Sequence, residues 1–126
     1  MLKLTYTENG FYLERLAQPL EEWVTARVIL ALRAGTSLCV EPSTASFLLP
    51  AAIPQLRHLE RHQEGEDAIA ISLCDAEYIE VTLNGTWMTS SSDGTEGVFV
   101  ASLSYAVEFF LIKLWEETQI QTRCLP

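Results

Sequence analysis

The sequence predicts an α+β fold: an antiparallel sheet built from two Asn-Gly hairpins and a meander, packed against two main helices. Two dipeptides, Asn9-Gly10 and Asn84-Gly85, sit between runs in which apolar residues alternate. A type I′ turn needs positive φ at both central residues, which Asn and Gly accept most readily. Two longer segments, Pro19 to Ala34 and Ser104 to about Thr118, carry apolar residues at helical spacing. Elements with one apolar face each are stable only when those faces cover one another.

In the first hairpin, the Asn9-Gly10 register puts Leu2, Leu4, Tyr6, Phe11 and Leu13 on one face and Lys3, Thr5, Thr7, Tyr12 and Glu14 on the other. Pro19 suits a first helical turn, Glu21 and Glu22 complement the dipole there, and Gly35 supplies a left-handed stop. Thr36 to Glu41 reads as a short strand ending at Pro42, followed by an irregular connection to Pro50. Pro54 opens a short helix through Arg57, Leu59 and His62. The meander runs Ile69 to Cys74, Tyr78 to Leu83, Asn84-Gly85, then Trp87 to Thr89. Ser90 to Gly97 is loop-like, Val98 to Val100 pairs as a last strand, and Ser102 or Ser104 caps the second long helix.

A chain of 126 residues suits a single domain over residues 1–126 with one core. Eight basic residues against seventeen acidic ones give a net charge of -9, which repels nucleic-acid phosphates and anionic lipid and attracts a cationic patch on a protein partner. Cys39, Cys74 and Cys124, odd in number and widely spaced, read as small core residues of a reducing compartment. The N-terminus lacks a signal peptide's apolar stretch and the longest apolar run, Phe109 to Ile112, is too short to span a bilayer, so a cytoplasmic protein is expected.

Arg27 is the most unusual charge, because helical spacing places it among Leu20, Trp23, Leu30 and Ala31 on the apolar face of the first long helix. A guanidinium buried there needs a carboxylate, with Glu41 and Glu108 as candidates, or an anionic ligand; otherwise it reaches past the apolar surface to water. Ser43, Thr44 and Ser46 offer hydroxyls to such an anion, although ordinary loop and cap chemistry is the leading explanation of them. His58 and His62 stand four apart but lack a third ligand, and Leu59 occupies the place where a zinc-protease motif needs Glu. No Gly-x-Ser-x-Gly elbow occurs and Glu77 and Glu80 point to opposite strand faces, so no catalytic residue, metal site or cofactor is assigned.

The second long helix points to association. Leu103, Ala106, Val107, Phe110, Leu111 and Leu114 form a broad core stripe, while Tyr105, Phe109 and Ile112 form a second apolar strip opposite. So short a chain has little left to wrap such a helix, which predicts a homodimer with Tyr105, Phe109, Ile112 and Trp115 at the interface. The stretch Leu32-Arg33-Ala34-Gly35-Thr36-Ser37-Leu38-Cys39-Val40-Glu41-Pro42-Ser43-Thr44-Ala45-Ser46-Phe47-Leu48-Leu49-Pro50 resembles a small family of uncharacterised cyanobacterial proteins. The resemblance implies a bacterial cytosolic setting and a role peculiar to photosynthetic bacteria, and it brings no activity, cofactor or site residue. The functional expectation is a non-enzymatic, self-associating interaction module. The alternative is a protein that binds a small anionic ligand, or a minor enzyme, with its site near Arg27 and Ser43 to Ser46.

Overall fold

The computed structural model describes residues 1–8, 10–52, 68–90 and 96–124, with side chains in the last segment described as far as residue 117. Six strands and two long helices follow in the order β1 (Leu2–Thr7), β2 (Gly10–Arg15), α1 (Leu20–Ala34), β3 (Cys39–Pro50), β4 (Ile69–Leu73), β5 (Tyr78–Thr89), β6 (Gly97–Ala101) and α2 (Tyr105–Cys124). The fold is α+β, as the sequence predicts. The antiparallel sheet has the order β2-β1-β6-β5-β3, with β4 also paired to β5. The chain forms two compact units, Met1–Thr44 with Asn84–Ser102, and Ala45–Leu83 with Leu103–Pro126.

In the first unit, β1 and β2 pair in the expected register, Leu4 opposite Leu13 and Tyr6 opposite Phe11. Asn9 itself lies outside the described residues. Hydrogen bonds between Met1 and Leu16 close the open end: the terminal ammonium donates to the Leu16 carbonyl at 2.8 Å and the Leu16 N–H to the Met1 carbonyl at 3.0 Å. Strand β6 pairs with β1 so that Lys3 faces Val100 and Leu4 faces Phe99. Side chains alternate along each strand, so Leu2, Leu4 and Phe99 share one buried face, while Met1, Val98, Val100 and Met88 share the other. Helix α1 covers that second face with Trp23, against which Leu20 and Val24 also pack.

Helix α1 has the bounds its sequence foretells. Pro19 takes the extended N-cap geometry, and Gly35 adopts φ 68°, from which the Gly35 and Thr36 N–H groups close on Leu32 and Ala31 carbonyls. That conformation is cheap only for glycine.

Three expectations fail. Strand β3 does not stop at Pro42 but continues to Pro50, with Ala45, Phe47 and Leu49 buried in alternation. Pro42 is tolerated because β3 is the last strand in the sheet order, where a missing N–H costs no ladder bond. Asn84-Gly85 is not a hairpin: β5 runs straight through it. A Cβ on Gly85 would lie 2.2 Å from the Val100 carbonyl oxygen and 2.8 Å from the Phe99 ring, so this glycine permits close approach of β6 rather than a turn. Finally, Cys39 and Cys74 are exposed, one opening β3 and the other just beyond β4, and neither is a core residue. The Cys124 side chain lies outside the described residues.

In the second unit, β4 pairs with β5 from Ile69–Leu83 to Leu73–Ile79. The turn after it is built by Asp75, whose Oδ1 accepts from the Glu77 and Tyr78 N–H groups at 2.7 and 2.9 Å. Among the described residues, Ala45, Phe47, Leu49, Ile69, Ile79, Val81, Leu83, Val107, Leu111 and Leu114 are the unit's buried apolar residues. Ser104 caps α2 as expected, its Oγ accepting the Val107 N–H at 3.4 Å. Glu108 reaches back and accepts the Leu103 N–H at 3.0 Å, a relative of the capping box in which the carboxylate comes one residue later. The helix extends beyond Thr118 to Cys124. The helix expected from Pro54 to His62 lies outside the described residues.

Candidate functional site: a charged cleft beside Trp23 and an aromatic face on α2

Leu20, Trp23, Val24, Arg27 and Ala31 recur at three- and four-residue steps, so they form the stripe of α1 that faces the strands. Trp23 is buried, and one turn further on a cleft of about 480 Å³ opens in the first unit. Trp23, Ala31, Leu38, Met88 and Val98 give it an apolar lining, and Lys3, Arg27, Thr89, Ser90 and Glu96 supply the polar groups. The volume falls in the range of small-molecule sites.

Arg27 is therefore exposed rather than buried, and the desolvation cost expected from helical spacing does not arise. Its guanidinium lies over the Trp23 ring, 4.8 Å from the centroid, as residues four apart on a helix allow. Among the described residues no carboxylate pairs with it. Glu41, one suggested partner, lines a separate groove of about 340 Å³ with Leu20, Val24 and Pro42. Glu108, the other, holds the start of α2. Lys3 stands 5.7 Å from the same indole ring and is held by Glu14 Oε1 at 3.1 Å, so two cations converge on one tryptophan. Glu96 is exposed, its carbonyl accepting from the Thr89 hydroxyl.

The Ser43, Thr44 and Ser46 hydroxyls do not line this cleft. All three lie on β3, where the Ser43 hydroxyl makes a long 3.5 Å bond to the Thr44 carbonyl and those of Ser46 and Thr82 meet at 3.0 Å. The cleft residues that sequence reasoning missed are Lys3, Thr89, Ser90 and Glu96. Lys3 was legible in part, since the hairpin register puts it opposite Glu14 on the polar face of the hairpin, which proves to be the face that α1 covers. Glu96 had no periodicity to mark it. His58 and His62 lie outside the described residues.

On α2, Val107, Leu111 and Leu114 are buried, and the opposite strip is open: Tyr105 is 65% and Phe109 39% exposed, with Ile112 and Trp115 half-buried. The Tyr105 and Phe109 rings stack with centroids 6.1 Å apart, and Lys113 covers part of Phe109, its Nζ 4.9 Å from the ring centre. A preformed aromatic pair of this kind loses little side-chain freedom on association. A family model described as Alr0857-like matches residues 1–119.

The chain belongs to the Alr0857-like family. The match takes in every cleft residue, the aromatic strip of α2 and the stretch Leu32 to Pro50 on which the resemblance to a bacterial family rested. No curated protein and no solved structure matches this Alr0857-like chain. Among its described residues, no helix is long and apolar enough to cross a membrane.

Proposed function

We propose that this protein is a non-enzymatic cytoplasmic interaction module that pairs with a second copy of itself through α2. The observation that carries this reading is the exposed Tyr105–Phe109 stack on a helix whose opposite side is already buried. Two α2 helices crossing antiparallel about a two-fold axis near residues 110 and 111 set Phe109 against the partner's Ile112. The same crossing brings the Tyr105 hydroxyl toward the partner's Glu116. A small strip of three apolar residues per copy, working against the repulsion of two chains of charge -9, gives a dissociation constant on the order of micromolar.

Concentration-dependent melting tests the pairing. Between micromolar and several hundred micromolar protein the melting temperature of the wild-type chain rises, and that of Phe109→Glu does not. A melting temperature independent of concentration in both proteins counts against self-association.

A second reading, binding of a small ligand with an anionic group at Arg27, is supported by the cleft beside Trp23 and by the absence of a carboxylate partner for Arg27 among the described residues. In this reading the hydroxyl partner is Ser90, which lines the cleft, in place of Ser43, Thr44 and Ser46; the Thr89 hydroxyl is committed to the Glu96 carbonyl.

A further inference from the structure

We infer that the cleft beside Trp23 takes a small zwitterion with an apolar body, the chemistry of an apolar amino acid. The inference rests on the ligand-binding reading above and names its ligand class. Arg27 and Glu96 border the same cleft with opposite charges, both are exposed, and among the described residues neither makes an ion pair. Two opposite charges that line one cleft and are not paired with each other can each take one end of a ligand that carries both charges. Its carboxylate meets the planar guanidinium, which donates two parallel N–H bonds, and its ammonium donates to the Glu96 carboxylate.

The charges around the opening favour that orientation. Lys3, though neutralised in part by Glu14, adds positive potential on the Trp23 side, where Arg27 also lies. A purely anionic ligand satisfies Arg27 but meets Glu96 as a like charge, and a purely cationic one meets Arg27 and Lys3. Between the charged groups the cleft is lined by Trp23, Leu38, Met88 and Val98, which offer an apolar body burial against an indole and a thioether. The Trp23 contact also fixes the Arg27 side chain before any ligand arrives, so the ordering cost on binding is small.

Three probes of one shape separate the terms: L-phenylalanine, 3-phenylpropionate, which lacks the ammonium, and 2-phenylethylamine, which lacks the carboxylate. Binding is read by isothermal calorimetry and by tryptophan emission, at a protein concentration low enough that self-association plays no part. L-phenylalanine is expected to bind at least about tenfold more tightly than either analogue. Arg27→Gln is expected to weaken L-phenylalanine and 3-phenylpropionate about tenfold or more while sparing 2-phenylethylamine, and Glu96→Gln to do the reverse for the two analogues. Both side chains are exposed, and an unchanged far-ultraviolet spectrum and melting temperature verify that each variant is folded. If 3-phenylpropionate equals L-phenylalanine and both depend on Arg27, the zwitterion inference is overturned and the anion reading stands. If no probe binds saturably up to 10 mM, a limit of about 3 kcal/mol of binding free energy, both are overturned.

Discussion

Replacing Gly85 by alanine tests the least expected feature of the sheet. A Cβ built on Gly85 lies 2.2 Å from the Val100 carbonyl oxygen, 2.8 Å from Phe99 Cζ and 3.1 Å from the Val100 carbonyl carbon. Neither neighbour has room to retreat, because Val100 is fully buried and Phe99 nearly so, and Val100 is paired on both sides, to Lys3 and to Thr86. The backbone of β6 must therefore shift or the ladder must open locally, at a cost of about 3 kcal/mol, the upper part of the range for overpacked cores. In a chain of this size that lowers the melting temperature by about 10 °C. Gly35→Ala is the control, since a Cβ there meets nothing within 4 Å and the cost is only that of a left-handed conformation, about 1 kcal/mol. Urea unfolding of the two variants gives the comparison. A loss for Gly85→Ala no larger than that for Gly35→Ala would refute the argument that close strand approach requires this glycine.

Burial raises the Tyr6 pKa above 10.0, and its ring packs edge-on against Trp87 at 5.7 Å, so the folded state holds the phenolic proton more tightly than the unfolded chain. The corresponding stability is complete below about pH 10 and drains away as pH rises through the folded value; denaturation at pH 8 and pH 11 shows the loss, and Tyr6→Phe lessens it. Glu108→Ala removes the acceptor for the Leu103 N–H from a site that is 3% exposed, and destabilises the fold by about 2 kcal/mol. Glu108→Gln, which keeps a carbonyl acceptor, loses less in the same denaturant titration. We propose that residues 1–126 unfold as one domain, because β3 and β5 each run through both compact units; calorimetry then gives one transition, and two resolved transitions argue against it.

Local rules were most legible where a single residue sets the backbone. The β1–β2 register, the α1 boundaries at Pro19 and Gly35, the Asp75 turn and the Ser104 cap all follow from short-range chemistry. Asn84-Gly85 misled because the dipeptide that favours a hairpin is also one that lets two strands approach, and only the partner strand distinguishes the two. Arg27 was placed correctly on the inward stripe of α1, but helical spacing carries no information about where the strands beneath the helix give way to a cleft. The same limit hid Glu96, which periodicity does not mark. It also hid the exposure of α1: Leu30 and Leu32 remain 53% and 76% exposed although both belong to an apolar run. On α2, by contrast, the offset between Val107, Leu111, Leu114 and Tyr105, Phe109, Ile112 was readable, because two stripes on opposite sides of one helix need no knowledge of the fold.

Sedimentation equilibrium of the wild-type chain, at loading concentrations from 1 to about 300 µM and at low and high salt, tests the self-association most directly. Copies of charge -9 repel one another and an apolar contact does not depend on salt, so screening is expected to tighten the dimer about severalfold between roughly 50 and 500 mM salt. A reversible monomer–dimer equilibrium with that salt dependence, abolished by Phe109→Glu, is the expected result. A single species of monomer mass at every concentration and both salts would contradict it.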